Sequence, residues 1–465
     1  MKVKSLLPYL FCALVVTSLH GQQSADQHAV MVRKIHEYSL KNGQSHHWLR
    51  TLCKQAGPRL AGHETYNRAV EITSSQLASI KGVSVRTQTT TTQKWQRGER
   101  EIANYLSSDG SVQRLQCFAL GNSVGTGKQG IVAEVLEVQG LDEVARLGEK
   151  VKGKIVFYNR PMDEAAIRTF TAYGGAVDQR VYGASRAAEY GAVGVLIRSM
   201  GLGIDTFAHT GTLVYKEGLP QIPALAISTA SAEWLSESLI KDGGKVFMRS
   251  TSHMEGSATC DNVIGELKGN ISPDTILLVG GHLDAWDVGE GAHDDGSGCV
   301  QSIDVLNILV GIGYKPRYTI RCVLFANEEN GLAGGNAYAA QAKEEGLIHL
   351  AAIESDAGGF SPRGFSFDAD TSVLKKYYRT VSQKMLPLLE SYGLQFETGG
   401  SGADIGPLKG LKGLLIGLRP DSQRYFDYHH TARDVYENVN ARELKLGAAA
   451  MTSLIYLIDQ YGLQP

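Results

Sequence analysis

The second half of the chain alternates short apolar runs with longer amphipathic stretches. The runs have the length of strands and end in polar residues, and the stretches between them repeat apolar residues at helical spacing. This pattern predicts strands at Asn262–Leu267, Thr275–Gly280, Arg317–Phe325, His349–Ile353 and Leu414–Leu418, and helices at Ser297–Val310, Thr371–Leu389 and Arg442–Tyr461. Alternating strands and helices imply an α/β fold in which helices flank an open, mainly parallel twisted sheet.

The first half of the chain shows two different sequence patterns. Residues 27–57 and Tyr66–Ile80 carry helical periodicity, and Val83–Trp95 alternates polar and apolar side chains as a half-exposed strand does. From about Val124, short β-like runs follow one another, and none ends in a cluster of histidine and acidic residues. We therefore expect a catalytic domain in two parts, 22–123 and 259–465, and an inserted β-rich domain, 124–258, that covers the site.

The N-terminus and the overall charge restrict location and partners. Residues 1–21 combine Lys2 and Lys4 with an apolar stretch too short to span a membrane comfortably, which predicts a cleaved signal peptide and a secreted protein. An uncleaved anchor is the alternative. No other run is apolar enough to cross a bilayer, so we expect no stable membrane insertion. With 46 Lys+Arg and 48 Asp+Glu in 465 residues, the chain offers no basic surface for nucleic acid.

The cysteines form neither a disulfide framework nor a metal-binding motif. Cys12 lies in the predicted signal peptide, and the five others are scattered through the chain. Cys299 falls in a predicted helix and Cys322 in a predicted strand, so both are expected to be core thiols. One disulfide among the remaining three stays open.

The stretch Leu277–Gly298 carries the strongest chemical signal. Its apolar run ends in His282-Leu-Asp284, and Asp294 follows ten residues later. Continuous apolar sequence is typical of a buried parallel strand, and ligands bind at the carboxyl ends of such strands. An imidazole and carboxylates that meet there favour a divalent metal, with zinc the usual choice.

Three later segments add the same chemistry. The strand that ends at Phe325 is followed by Glu328-Glu329, whose side chains point in opposite directions on an extended chain. Asp356 follows the next predicted strand, and His430 lies in a loop before the last helix. These residues are therefore expected at the same edge of the sheet as His282.

The candidate ligands divide into two sets that share one residue. His282 and Asp356 would hold one metal, Glu329 and His430 would hold the other, and Asp294 would bridge the two. Each metal keeps an open position, which is typical of hydrolytic rather than structural zinc sites. The pattern predicts two Zn²⁺ per chain; a single-metal hydrolase would leave His282 or His430 without a purpose.

Two further acids have predicted roles beside the metals. Glu328 would take a proton from the attacking water and pass it to the leaving amine. Asp284 would orient the ring of His282 or a neighbouring group, since ligating imidazoles commonly have a carboxylate partner.

These segments resemble a known family. The co-catalytic zinc peptidases, which include bacterial aminopeptidases and glutamate carboxypeptidase, carry similar motifs, which read here His282-Leu-Asp284, Asp294-Asp-Gly-Ser-Gly298, Glu328-Glu329, Glu354-Ser-Asp356 and His430-Thr-Ala-Arg-Asp434. Residues 280–289, Trp95-Gln-Arg-Gly-Glu and His429-His430-Thr resemble the carboxypeptidase Q branch more narrowly. The resemblance runs from about residue 30 to the end. It implies a protease-associated domain at 124–258, two zinc ions, a cis Asp294–Asp295 peptide and a homodimer.

One departure bears on the substrate. Where glutamate carboxypeptidase has a tyrosine that helps hold the substrate carbonyl, this chain has His429, which we expect to fill the oxyanion role. No arginine cluster matches a glutamate-binding pocket, although Arg419 and Arg424 lie near the right stretch. The prediction is therefore an exported exopeptidase for dipeptides or short peptides. A broad aminopeptidase and a non-catalytic binding protein on a peptidase scaffold are the alternatives.

Overall fold

The computed structural model describes residues 26–463, so the predicted signal peptide, 1–21, lies outside the described residues. In chain order, the helices are α1 (26–42), α2 (Ser45–Gln55), α3 (Glu64–Ala78), α4 (Leu141–Leu147), α5 (Thr169–Gly174), α6 (Asp178–Glu189), α7 (Thr229–Asp242), α8 (Ser297–Gly311), α9 (Ala333–Glu344), α10 (Thr371–Lys384), α11 (Leu386–Leu389) and α12 (Ala441–Tyr461).

The strands build two eight-stranded sheets. In chain order they are β1 (Val83–Gln96), β2 (Ile102–Leu106), β3 (Val112–Leu115), β4 (Cys117–Ala119), β5 (Ile131–Val138), β6 (Ile155–Tyr158), β7 (Gly194–Arg198), β8 (Ala224–Ile227), β9 (Lys245–Arg249), β10 (His253–Leu267), β11 (Ser272–His282), β12 (Tyr318–Phe325), β13 (Ile348–Glu354), β14 (Pro362–Asp368), β15 (Gln395–Thr398) and β16 (Leu414–Pro420).

The first sheet has the order β1-β10-β12-β11-β13-β16-β14-β15. Its four central strands, β12, β11, β13 and β16, run parallel, whereas β10 and β14 pair antiparallel with their inner neighbours. The predicted α/β class is confirmed, but the sheet is mixed rather than mainly parallel. The difference arises because β1 and β10 form a long antiparallel pair and β14 returns beside β16.

Both faces of this sheet are buried. Leu277 and Val279 of β11 point into the core formed with α2, α8 and α12, while Ile276 and Leu278 point into a second core beneath α9. A strand that is covered on both faces is apolar at every position, because each side chain leaves water whichever way it points. The continuous apolar run before His282 has this cause.

The second sheet has the order β3-β2-β9-β5-β6-β7-β8-β4, with β5 to β8 parallel. Strands β2, β3 and β4 precede position 124, at which the sequence analysis begins the inserted domain. They join this sheet because β2 pairs with β9 and β4 pairs with β8. Its segment 209–212 reaches the edge of the first sheet, where His430 lies.

Two predicted helices are each interrupted. The helix expected over 27–57 breaks at Gly43, because the buried carboxylate of Asp304 accepts hydrogen bonds from the backbone N–H groups of Gln44 and Ser45 and starts a new helix there. The helix expected over 371–389 breaks at Met385, ahead of Pro387 at the start of α11.

Two further expectations concern cysteines and membranes. The five described cysteines are all free, and Cys299 and Cys322 are buried in the core as expected. Within residues 26–463, no helix combines the length and the apolar content that crossing a bilayer requires.

Candidate metal centre

The topology brings the candidate ligands to one edge of the first sheet. His282 is the last residue of β11, and its parallel neighbours β12 and β13 end at Phe325 and Glu354. Glu329 and Asp356 therefore follow the ends of the two strands beside His282. Three segments that are distant in sequence meet because parallel neighbours present their carboxyl ends at the same edge.

Asp294 lies at the centre of this group. Its Oδ1 is 3.3 Å from Nε2 of His282, and its Oδ2 is 3.2 Å from Nε2 of His430. Each imidazole also faces a second carboxylate: Asp356 lies 3.6 Å from His282 Nε2, and Glu329 lies 3.1 Å from His430 Nε2. The five residues thus form two donor sets that share the carboxylate of Asp294.

The second nitrogen of each imidazole has a backbone carbonyl partner. Nδ1 of His282 lies 3.0 Å from the carbonyl of Asp284, and Nδ1 of His430 lies 3.3 Å from the carbonyl of Thr210. A carbonyl accepts a hydrogen bond only from a protonated Nδ1, so Nε2, which faces Asp294, is the nitrogen left to bind a metal. A metal bound there would replace the proton that Nε2 shares with Asp294.

Acids that do not face the imidazoles hold the backbone around them. The carboxylate of Asp295 accepts from the N–H groups of His282 (3.1 Å) and Gly298 (3.0 Å). The carboxylate of Asp434 accepts from the N–H groups of His293 (2.6 Å) and Asp294 (3.1 Å). The Asp294–Asp295 peptide is cis, as the resemblance implied.

The carboxylate of Asp284 binds the backbone of the two glutamates and makes no hydrogen bond to the His282 ring. It accepts a hydrogen bond from the N–H of Glu328 (3.0 Å) and another from the N–H of Glu329 (3.3 Å). Its Oδ1 is 3.9 Å from Nδ1 of His282, beyond hydrogen-bond distance. Asp284 therefore fixes the backbone from which both glutamate side chains project.

The electrostatics of the cluster favour a cation. Burial raises the pKa of Glu328 well above its ordinary value, and the charges of Asp356 and Glu329 add to this effect. Burial and the charge of Asp294 raise the pKa of Glu329 to about 7. For His430, burial alone would lower the pKa, but Glu329 and Asp294 outweigh it and raise the pKa to about 9. Carboxylates crowded in this way hold protons that a divalent cation would replace.

Unpartnered oxygen atoms support the same interpretation. Oδ2 of Asp294 and Oε1 of Glu329 are buried, and neither receives a hydrogen bond from the residues that the structure describes. Buried carboxylate oxygens without donors are expensive unless a cation occupies the space between them. Imidazole nitrogens and carboxylate oxygens are the donors that suit zinc, so the residues fit this metal.

His429 lies beside the metal candidates in an aromatic environment. Its ring stacks on His430, with 3.6 Å between the ring centroids, and contacts Tyr173, Tyr425 and Phe426. Its Nε2 is 3.8 Å from Oδ2 of Asp294, and its Nδ1 has no described partner. Burial lowers the pKa of His429 well below its ordinary value, and the charge of His430 adds to this, so the ring is neutral.

Two residues near His430 that the sequence analysis missed come from a helix and a loop beside the second sheet. Arg180 on α6 is buried, and its Nε and Nη1 have no hydrogen-bond partner among the described residues. A Cβ atom built on Gly211 would lie 2.6 Å from Arg180 Nη1 and 2.7 Å from His430 Nδ1, so both side chains border that glycine. Helical spacing could have found Arg180, because it shares a face of α6 with Gly183 and Ala184. Thr210, in a loop, gave no such signal.

Three other residues, His63, Trp286 and Arg419, contact groups outside the candidate ligand sets. His63 lies at the start of α3, where its Nε2 meets the carbonyl of Trp95 at 2.9 Å. Trp286 is buried, with its ring edge against Trp95 and His430. Arg419 bonds to Ser366 and to the carbonyl of Gly400.

Comparison with known proteins assigns the family. The profile of peptidase family M28 matches residues 262–455. Carboxypeptidase Q from Bos taurus is 31% identical over 426 residues, which span 90% of this chain and 86% of that protein, and carboxypeptidase Q from Homo sapiens is 30% identical over the same shares.

Solved structures agree. A peptidase M28 precursor from Shewanella amazonensis SB2B has a TM-score of 0.89 and 31% identity, covering 95% of this chain and 99% of that one. A zinc aminopeptidase from Bacillus subtilis shares the fold, with a TM-score of 0.62 and 18% identity over 89% of this chain and 94% of that one. The chain therefore belongs to the carboxypeptidase Q-like members of peptidase family M28, a family of zinc metallopeptidases.

Proposed function

We propose that the protein is a two-zinc exopeptidase that hydrolyses dipeptides or short peptides. His282 and Asp356 would hold one zinc, Glu329 and His430 the other, and Asp294 would bridge them. The observation that carries this proposal is the division of the Asp294 carboxylate, whose two oxygens face different imidazoles, each with its own second carboxylate. A single ion at one imidazole would leave the other donor set without a cation.

Two zinc ions held by these residues would supply Lewis acidity, which would make water more acidic and polarise the scissile carbonyl. Glu328 is the group that moves the proton. Its side chain is 22% exposed, whereas that of Glu329 is 3% exposed, so Glu328 is the more accessible of the two to a substrate. It takes a proton from the attacking water and donates it to the leaving amine, a role that suits a carboxylate whose pKa is raised by burial.

Two buried side chains would bind the substrate. The neutral ring of His429 can donate an N–H to the oxygen that becomes negative in the transition state. The partly unpartnered guanidinium of Arg180 can bind a free C-terminal carboxylate in a bidentate manner. A fixed cation of this kind favours substrates with a free carboxyl end over amidated ones, and hence a dipeptidase or carboxypeptidase over a plain aminopeptidase.

The first experiment joins metal content to end-group preference. The purified protein is analysed for zinc per chain, and hydrolysis of a free dipeptide is compared with that of its N-acetylated and C-amidated forms. Two zinc ions with cleavage of the free dipeptide alone support the proposal. Cleavage of the amidated peptide would make the protein an aminopeptidase, and cleavage of the acetylated one a carboxypeptidase. One zinc at saturation would contradict the two-zinc site.

We also propose that the protein is exported by residues 1–21, forms a homodimer, and carries a protease-associated domain, expected at 124–258, whose sheet also includes β2, β3 and β4. The first is supported by Lys2, Lys4 and the apolar stretch that follows them, and the other two by the resemblance noted above. N-terminal sequencing of the secreted protein tests the first, and light scattering tests the second. An intact residue 1 in the extracellular fraction, or a monomer at micromolar concentration, would contradict them.

A further inference from the structure

Arg97 joins the loop that follows His282 to the second sheet. Its Nε donates to both carboxylate oxygens of Asp287 at 2.9 Å, and its Nη2 donates to Oδ1 of Asp287 at 2.5 Å. Its Nη1 donates to Oε1 of Glu101 (2.9 Å) and to the carbonyl of Ala119 (2.8 Å). The Trp95-Gln-Arg-Gly-Glu motif thus holds a residue with a specific bonding pattern that the proposed chemistry does not use.

A single residue separates Arg97 from His430. Nη2 of Arg97 lies 3.3 Å from Oγ1 of Thr210, and this hydroxyl donates to the carbonyl of Ala119 at 2.8 Å. The backbone of Thr210 then contacts His430 twice. Its N–H donates to the carbonyl of His430 at 3.0 Å, and its own carbonyl lies 3.3 Å from His430 Nδ1.

Arg97 is also linked to a second neighbour of His430, through Asp287. Asp287 follows Trp286, whose ring lies edge-on to His430 with 5.8 Å between the ring centroids. The Trp286 ring packs closely against Gly121, because a Cβ atom built on this glycine would lie 1.8 Å from Cη2 of Trp286. Arg97 therefore bonds to two segments that each contact the His430 ring.

The fork shape of the guanidinium is needed here as well as its charge. The Arg97 side chain is 12% exposed and pairs with Glu101, whose side chain is 3% exposed, and with Asp287. Its bonds go to two carboxylates, a carbonyl and a hydroxyl in different directions. A lysine would keep the charge but has only three donors on one nitrogen, so it cannot reach all of these groups.

We propose that Arg97 is a positioning residue for one metal only, the zinc held by Glu329, Asp294 and His430. By fixing Thr210, it holds the carbonyl that orients the His430 imidazole. Within residues 26–463, Arg97 makes no hydrogen bond to Asp356 or to Asp284, whose carbonyl is the Nδ1 partner of His282, so the other zinc should be unaffected. This inference rests on the two-zinc function proposed above.

The test measures Zn²⁺ binding by the metal-free full-length protein, by calorimetry and competition with a chelator. The step that His430→Ala abolishes identifies the zinc in question. We expect Arg97→Lys and Thr210→Val to weaken that step by about 10–100-fold, the usual effect of removing an outer partner of a metal ligand, and to leave the other step unchanged. Thr210→Ser keeps the hydroxyl and should restore wild-type binding. Arg321→Lys is the matched control, because Arg321 on β12 forms a partly buried pair with Glu266 on β10.

Each outcome decides one question. Unchanged zinc steps in both Arg97→Lys and Thr210→Val would overturn the proposal, and so would equal weakening of both steps. Weakening by Arg321→Lys to the same extent would show a general loss of stability instead, and would also overturn it. If the wild-type protein binds only one zinc, the failure lies with the proposed two-zinc function and not with Arg97.

Discussion

Replacing Asp284 with asparagine should lower both the free energy of unfolding and kcat, and a control variant can show that the two losses have different causes. The Asp284 carboxylate is fully buried and accepts the N–H groups of Glu328 and Glu329. An asparagine of the same size has one acceptor oxygen, and its NH₂ group would face the second N–H as donor against donor. The loss of one hydrogen bond to a charged acceptor costs about 1.5–3 kcal/mol in the free energy of unfolding.

The fold contains a matched control. Asp304 on α8 is also fully buried and accepts two backbone N–H groups, those of Gln44 and Ser45, each at 3.1 Å. Asp304→Asn should therefore destabilise the protein by a similar amount. Only the Asp284 change moves the backbone of Glu328, the proposed general base, and a displacement of about 1 Å at a reacting group can lower kcat by about 100-fold.

The assay compares kcat on a free dipeptide and the unfolding free energy in denaturant, with zinc held at one concentration. We expect a similar loss of stability in both variants and a loss of kcat only in Asp284→Asn. Full kcat in Asp284→Asn, or an equal loss of kcat in Asp304→Asn below its melting temperature, would refute the reasoning.

Three further predictions concern single side chains. Glu328→Gln should keep both zinc ions and lower kcat by about 10²–10⁴-fold, since it removes the proton acceptor; a fully active variant with its metal retained would show that another group is the base. His430→Ala should release one zinc first during dialysis against a chelator, and two tightly bound ions would contradict the ligand set. Burial, helped by the charge of Arg321, lowers the pKa of His349 to about 4 from 6.5, so the fold favours its neutral form and loses stability as the pH falls from about 6.5 toward 4. His349→Gln should reduce the difference in unfolding free energy between pH 7 and pH 5, and an unchanged difference would rule out this histidine as a cause.

The central strands could be predicted because burial on both faces leaves a simple pattern. Strand β11, expected at Thr275–Gly280, extends over Ser272–His282, and α8, expected at Ser297–Val310, extends over Ser297–Gly311. Three of the ligand candidates, His282, Glu329 and Asp356, were found for the same reason, since each closely follows an apolar run, whereas His430 lies in a loop before the last helix. Their roles as ligands stay predictions, although the structure brings all five together.

What the sequence did not indicate depends on contacts between distant segments. Strands β14 and β15 were not predicted; β14 pairs with β16, and β15 pairs with β14. The break at Gly43 depends on Asp304, about 260 positions away in the chain. Thr210 contributes through its backbone carbonyl, a group that every residue has, so no residue type at this position could mark its contact with His430.

The pairing of β1 with β10 has a consequence for how this chain was assembled. The two strands pair antiparallel from Val83↔Leu267 to Gln96↔His253, so they form the arms of one long β-hairpin. Residues 97–252 stand where such a hairpin would have its turn. Hairpin tips tolerate insertions because the two ends of the added segment are already adjacent. The second sheet could thus be inserted into an existing peptidase without a change in the strand order of the first sheet. The inserted segment brings the carbonyl of Thr210 and the guanidinium of Arg180 to His430, which lies more than 170 residues after β9, the last strand of the second sheet.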